Sequence, residues 1–179
     1  MDRLNLPGLD SHTLLSAPYY ISGFKVSRRV NTFVVANDQI KRIRKGKEWV
    51  CIQNTDNDGS PGQHWVTSIS MDRKLTFFDS LGRDPSHYKL QLPLGKLTKI
   101  DYANTVQLQS NYSNVCALYG LFIFHEYLRG RKFDSVMTEF NPCGQFYNDA
   151  LVLRVYSMLR FMNGKIARCN QISQANFVL

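Results

Sequence analysis

Four residues of this 179-residue chain, in the order His64, Asp79, Gln109 and Cys116, have the types needed for nucleophilic acyl chemistry. A thiolate attacks carbonyl carbon readily, but a free cysteine titrates near ~8.5 and needs a neighbour that favours the anion. An imidazole supplies that neighbour and also stores and returns the proton. A carboxylate beside the imidazole fixes its tautomer and steadies the imidazolium. A side-chain amide upstream of the nucleophile adds a hydrogen-bond donor for a developing oxyanion. Each residue alone fits a plainer role, such as a surface ion pair or a buried core thiol. Their joint occurrence in this order points to a Cys–His–Asp arrangement with Gln109 helping to form the oxyanion hole.

These side chains need elements to bring them together. Glu48–Gln53 (EWVCIQ) reads as a strand, and the polar run from Asn54 to Gly62 after it reads as a loop. His64–Ser70 and Leu75–Asp79 are rich in β-formers and separated by a short polar stretch, which predicts a hairpin. A two-residue loop at Met71–Asp72 sets His64 opposite Asp79, with Cβ atoms ~5 Å apart. A four-residue loop at Met71–Lys74 sets Asp79 opposite Val66, still on the face of His64 because side chains alternate with period two. A three-residue loop would separate them. Trp65 points to the other face and is expected to pack.

Cys116–Gly130 is apolar nearly all round and ends in Arg129 and Gly130, the signature of a buried helix with a glycine stop. Ser113 and Asn114 are expected to cap its start. Cys116 would then lie at a helix N-terminus, where unpaired N–H groups favour the thiolate and one can face an oxyanion. A last helix is expected from Gln145 to Asn163, with Gly164 at its end. No regular βαβ alternation occurs. The expected fold is α+β, a small mixed β-sheet packed around the buried central helix that bears Cys116, with flanking helices, in one domain spanning residues 1–179. Other histidines are weaker candidates. His12 and His87 lie in polar loop surroundings, and His125 is nine residues beyond Cys116, ~13 Å along a helix axis.

Composition narrows the classes. Hydrophobic residues make up 44% and charged residues 20%, ordinary globular values. No apolar run reaches ~18 residues, so no transmembrane helix and no membrane partner are expected. The start of the chain lacks the features of a signal peptide. Cys51, Cys116, Cys143 and Cys169 are widely spaced with no CxxC pair. They read as thiols in a reducing compartment, three of them inert and buried, and no metal site is expected. Between Lys25 and Lys47, eight basic residues face one acid, Asp38, so this stretch supplies seven of the net eight positive charges. Lys41, Arg42, Arg44 and Lys45 form its densest part. Contacts to DNA phosphates and a solvated face both fit.

The pattern as a whole resembles the adenovirus maturation protease (adenain) family, in the clan that also holds the SUMO-deconjugating proteases. The matching residues are Gly62-Gln63-His64-Trp65, Phe78-Asp79-Ser80-Leu81-Gly82, Gln109 seven positions before Cys116, and Leu121-Phe122 within the expected helix. Ala17-Pro18-Tyr19-Tyr20 and the Asn141-Pro142 region extend the likeness from about Ala17 to Arg160. Cys116-Ala117 replaces the family's Cys-Gly. Asp79 replaces the adenovirus glutamate, as in the SUMO-protease branch. The family's cofactor cysteine would fall near Thr98, where no cysteine is close, which argues against a disulfide-linked peptide. These departures suit a relative from another double-stranded DNA virus, a virophage or a Polinton-like element.

The resemblance implies a cysteine endopeptidase that cuts viral capsid or core precursor proteins beside small glycine residues during virion maturation. It implies no cofactor for the chemistry, with activation by DNA or a peptide as a regulatory option. Double-stranded DNA, bound without sequence preference, is an expected partner. The expected location is the virion and the infected cell's cytoplasm or nucleus. A protease of ubiquitin-like conjugates would use the same machinery. A catalytically inactive DNA-binding capsid component is the alternative from a different class.

Overall fold

The computed structural model describes residues 30–42, 48–60, 63–92 and 100–158. Five strands form one mixed sheet in the order β1 (Asn31–Val35), β2 (Trp49–Asn54), β3 (Trp65–Met71), β4 (Lys74–Phe78) and β5 (Tyr102–Ala103). The two inner junctions are antiparallel, whereas β1 and β5 add in parallel at the edges. Helix α1 spans Cys116–Leu128, α2 spans Phe133–Met137, and α3 is described over residues 145–158. The fold is α+β, as the mixed order of strands and helices predicts.

The hairpin adopts the second of the two expected registers, with Ser70 opposite Leu75 and Thr67 opposite Phe78. Its loop is shorter than the four residues expected for that register. Met71 pairs with Lys74, and only Asp72 (φ 50°) and Arg73 (φ 63°) turn the chain. Two central residues with positive φ match the right-handed strand twist of a tight hairpin.

One face of the sheet carries Val50, Ile52, Ile69 and Phe78, which pack with the apolar flank of α1. Gly120 lets that helix lie close, since a Cβ there would sit 2.8 Å from the Thr67 hydroxyl. Trp65 joins this core, in line with its expected packing role. On the other face Trp49, Cys51, Leu75 and Ile40 form a smaller cluster. Val115 precedes α1 without any side-chain cap, so the expected caps Ser113 and Asn114 are not used. Ser113 instead bonds Ser110 through its hydroxyl and lends its carbonyl to Gln109.

Within the basic stretch, β1 and a 3-10 turn over Asn37–Arg42 give regular structure that the charge pattern conceals. Lys41 and Arg42 close that turn, while Arg44 and Lys45 lie outside the described residues. So do His12, Ala17–Tyr20, Gly62, Thr98, Gly164 and Cys169. Cys51 is buried as expected, but Cys143 is exposed, because it sits in a polar turn ahead of α3 rather than on an apolar face. Among the described residues no helix is long and apolar enough to cross a membrane.

Candidate active site

His64 immediately precedes β3, and Asp79 immediately follows β4. Both therefore stand off the same end of the sheet, beyond the last ladder pair between these strands, where strict face alternation no longer holds. Nε2 of His64 lies 2.6 Å from Oδ1 of Asp79, and both residues are buried. Asp79 is encircled by donors. The backbone N–H of Leu81 donates to Oδ1 at 2.9 Å, and that of Arg83 to Oδ2 at 3.0 Å. The Tyr88 hydroxyl donates to Oδ2 at 2.8 Å. Burial alone would push the Asp79 carboxyl up, but the hydrogen bond and charge of His64 outweigh it and hold it below the ordinary range.

His64 shows the complementary effect. Burial opposes its charge, yet its hydrogen bond to Asp79 and its interaction with Cys116, with the charges of both, raise its pKa from 6.5 to about 9. With Nε2 committed to Asp79, Nδ1 is the ring nitrogen left for Cys116. Cys116 is the first residue of α1 and is partly exposed. Because the helix start is uncapped, the backbone N–H groups of Cys116 and Ala117 have no partner among the described residues. The sulfur thus stands beside backbone donors that no protein group occupies among the described residues.

Gln109 is buried and fixed at both ends of its amide. Oε1 accepts from the Ser80 hydroxyl at 2.7 Å, and Nε2 donates one hydrogen to the Ser113 carbonyl at 2.9 Å. The second Nε2 hydrogen has no partner among the described residues. The same Ser80 carbonyl accepts from the N–H groups of Leu108 and Gln109, which ties the segment after Asp79 to the segment before Cys116. Gly82 permits this approach. It adopts φ 67°, and a Cβ there would sit 2.6 Å from the Val106 carbonyl carbon. This is a physical reason for a glycine three residues after the acid.

No family model matches the sequence, and no curated protein matches it. Among solved structures, the selenomethionine crystal structure of the ASFV pS273R protease is similar to 83% of this chain over 70% of its own, with 16% identity and a TM-score of 0.47.

The other two described histidines are engaged elsewhere. His125 is buried with Nδ1 2.9 Å from Glu126 Oε1, in a cluster that includes Arg129 and Arg131. His87 is exposed and faces the Arg83 guanidinium at 3.4 Å.

Sequence reasoning missed four supporting residues. Tyr88 closes a 3-10 turn over Pro85–Tyr88 whose Asp84 cap is legible in the sequence. Its ring stacks on His64, with centroids 5.5 Å apart and planes at 28°. Asn104 clamps the Asp79 backbone, accepting from its N–H at 2.8 Å and donating to its carbonyl at 2.6 Å. Asn148 and Asp149, in the first turns of α3, hold the loop that carries Gln109. Asn148 donates to the Leu108 carbonyl, and Asp149 accepts from the Ser110 N–H and the Tyr119 hydroxyl. Burial pushes the Asp149 carboxyl up despite those donors.

Proposed function

We propose that the protein is a cysteine endopeptidase in which Cys116 is the nucleophile, His64 the proton carrier and Asp79 its orienting acid. The observation that carries this reading is the buried His64–Asp79 pair at 2.6 Å, with Cys116 near enough to help raise His64 and placed at the uncapped start of α1. The Cys116 sulfur attacks the scissile carbonyl, and its electrons displace onto the carbonyl oxygen. That oxyanion is met by the Cys116 N–H and the uncommitted Gln109 amide hydrogen. Collapse breaks the C–N bond as His64 gives its proton to the leaving amine, leaving a thioester. Water, deprotonated by His64, then attacks the thioester and restores the thiolate–imidazolium pair. The test is incubation with denatured casein: new fragments that disappear after iodoacetamide treatment support the reading, and intact casein at all times contradicts it.

Tyr88 supports the same machinery through both Asp79 and the His64 ring. Its hydroxyl is one of four donors to Asp79, and its ring covers His64. Tyr88→Phe keeps the stack but removes that donor. A hydrogen bond to a charged group contributes about 1.5–3 kcal/mol, and only part of that differs in the transition state. The expected outcome is kcat reduced about 3- to 10-fold with KM unchanged. A raised KM with unchanged kcat would make the hydroxyl's contribution one of substrate binding instead.

By its resemblance to the adenain family, the biological substrates are capsid or core precursor proteins of a double-stranded DNA virus. DNA binding through Lys41, Arg42, Arg44 and Lys45 belongs to the same proposal, supported by seven net charges in the Lys25–Lys47 stretch. Such binding releases counterions, so log K should fall with log[salt] at a slope of about −4 to −5 if four to six phosphates are engaged. Replacing those four residues with Gln should flatten the slope. An unchanged slope and affinity would leave them as a solvated face.

A further inference from the structure

Beside His64 lies a polar depression of about 250 Å³, lined in part by Thr55, Asp56, Gln63, Arg83 and Tyr88. Its size suits one side chain, since drug-sized ligands occupy ~300–1,000 Å³. His64 forms part of its wall, whereas Cys116 and Gln109 do not. In the acyl-transfer sequence the leaving amine must reach the imidazole, while the acyl carbonyl must face the oxyanion donors. A depression that borders the proton donor and not the oxyanion donors fits the amine side of the scissile bond better than the acyl side.

Its charged groups differ in availability. The Arg83 guanidinium lies 6.0 Å from the Tyr88 ring centroid and 3.4 Å from His87 Nε2, so it is drawn to that edge. The backbone N–H of Asp56 donates to Asn54 Oδ1 and its carbonyl accepts from Asn37, which fixes the residue in the loop after β2. Its half-buried carboxylate has no partner among the described residues.

We propose that this depression is a leaving-group-side subsite in which Asp56 selects substrates with a basic residue just after the cut. The proposal rests on the cysteine-protease reading. It adds a determinant of specificity that the four reacting groups do not contain. Gln63 and Thr55 supply further polar contacts for the substrate chain.

The experiment is digestion of a denatured bacterial lysate, with chemical labelling of new N-termini and their identification by mass spectrometry. Lys and Arg should be enriched over Asp and Glu at the first or second new position by about threefold or more, the scale of a partly exposed ion pair. Asp56→Asn should erase the enrichment, and Asp56→Lys should turn it toward acidic residues. New N-termini with no basic enrichment, or with enrichment unchanged in both variants, would overturn the subsite while leaving the protease reading intact. An enrichment of acidic residues by wild type would assign the depression to Arg83 and overturn the role of Asp56. No new N-termini, together with slow iodoacetamide labelling of Cys116, would overturn both readings.

Discussion

Cys116→Ala should lower casein cleavage by a factor of ~10⁴ or more, to the limit of detection, because loss of a nucleophile removes the covalent route altogether. The fold should survive. Cys116 is partly exposed at the first position of α1, and alanine is the best helix former. No other described cysteine has the surroundings to substitute. Cys51 is buried on β2 against Trp49, and Cys143 is exposed ahead of α3. Cys143→Ala should therefore leave activity unchanged. Cys51→Ala should act only through stability. A folded Cys116→Ala protein with more than a tenth of wild-type activity would remove this residue from the mechanism.

Asp79→Asn should reduce kcat/KM by ~10–10³, less than the ~10⁴ known for the corresponding change in a serine protease, because the thiolate leans less on the acid. Two carboxylate oxygens receive four donors here, from His64, Leu81, Arg83 and Tyr88. An asparagine offers one oxygen and an amide that itself donates. With the amide toward His64, Nε2 must accept, which is the wrong tautomer. With it turned away, the Arg83 N–H loses its acceptor. Either orientation costs about 1–3 kcal/mol of stability.

The same variant has a pH signature. The folded state raises His64 from 6.5 to about 9, so this contribution is fully present below pH 6.5 and is lost as pH rises through about 9. The folded state lowers Asp79 from 3.8, so that contribution is present above 3.8 and is lost as pH falls through the lower value. The Tm gap between wild type and Asp79→Asn should therefore be widest between about pH 4 and 6.5 and should narrow toward pH 9. A gap that stays constant up to pH 9.5 would separate Asp79 from the protonation of His64.

Much of the site's framework was legible because it rests on local rules. The hairpin follows from two β-rich runs and an even loop, and the register with Ser70 opposite Leu75 is one of the two that such a loop allows. The buried helix follows from its apolar run and Gly130. The edge strands were not legible. β1 sits in a stretch dominated by charge, β5 has only two residues, and both add in parallel, which no local turn encodes. Arg73 at φ 63° gives no compositional hint of a tight turn. Tyr88, Asn104 and Asp149 act across sequence separations of 9 to 39 residues, so only tertiary packing reveals them. The missing helix cap has a similar origin. Good capping types at Ser113 and Asn114 are overridden by the loop's own hydrogen bonds, and the N–H groups left over lie beside Cys116.

The central claim is that Cys116 is the nucleophile and His64 its proton carrier, which makes this sulfur the most readily alkylated in the protein. The most direct measurement is the rate of iodoacetamide alkylation at pH 6, with each modified cysteine located by peptide mapping. The account predicts that Cys116 alone reacts fast and that His64→Ala slows it to the rate of exposed Cys143. Equal, slow labelling of Cys116 and Cys143 in the wild-type protein would contradict it.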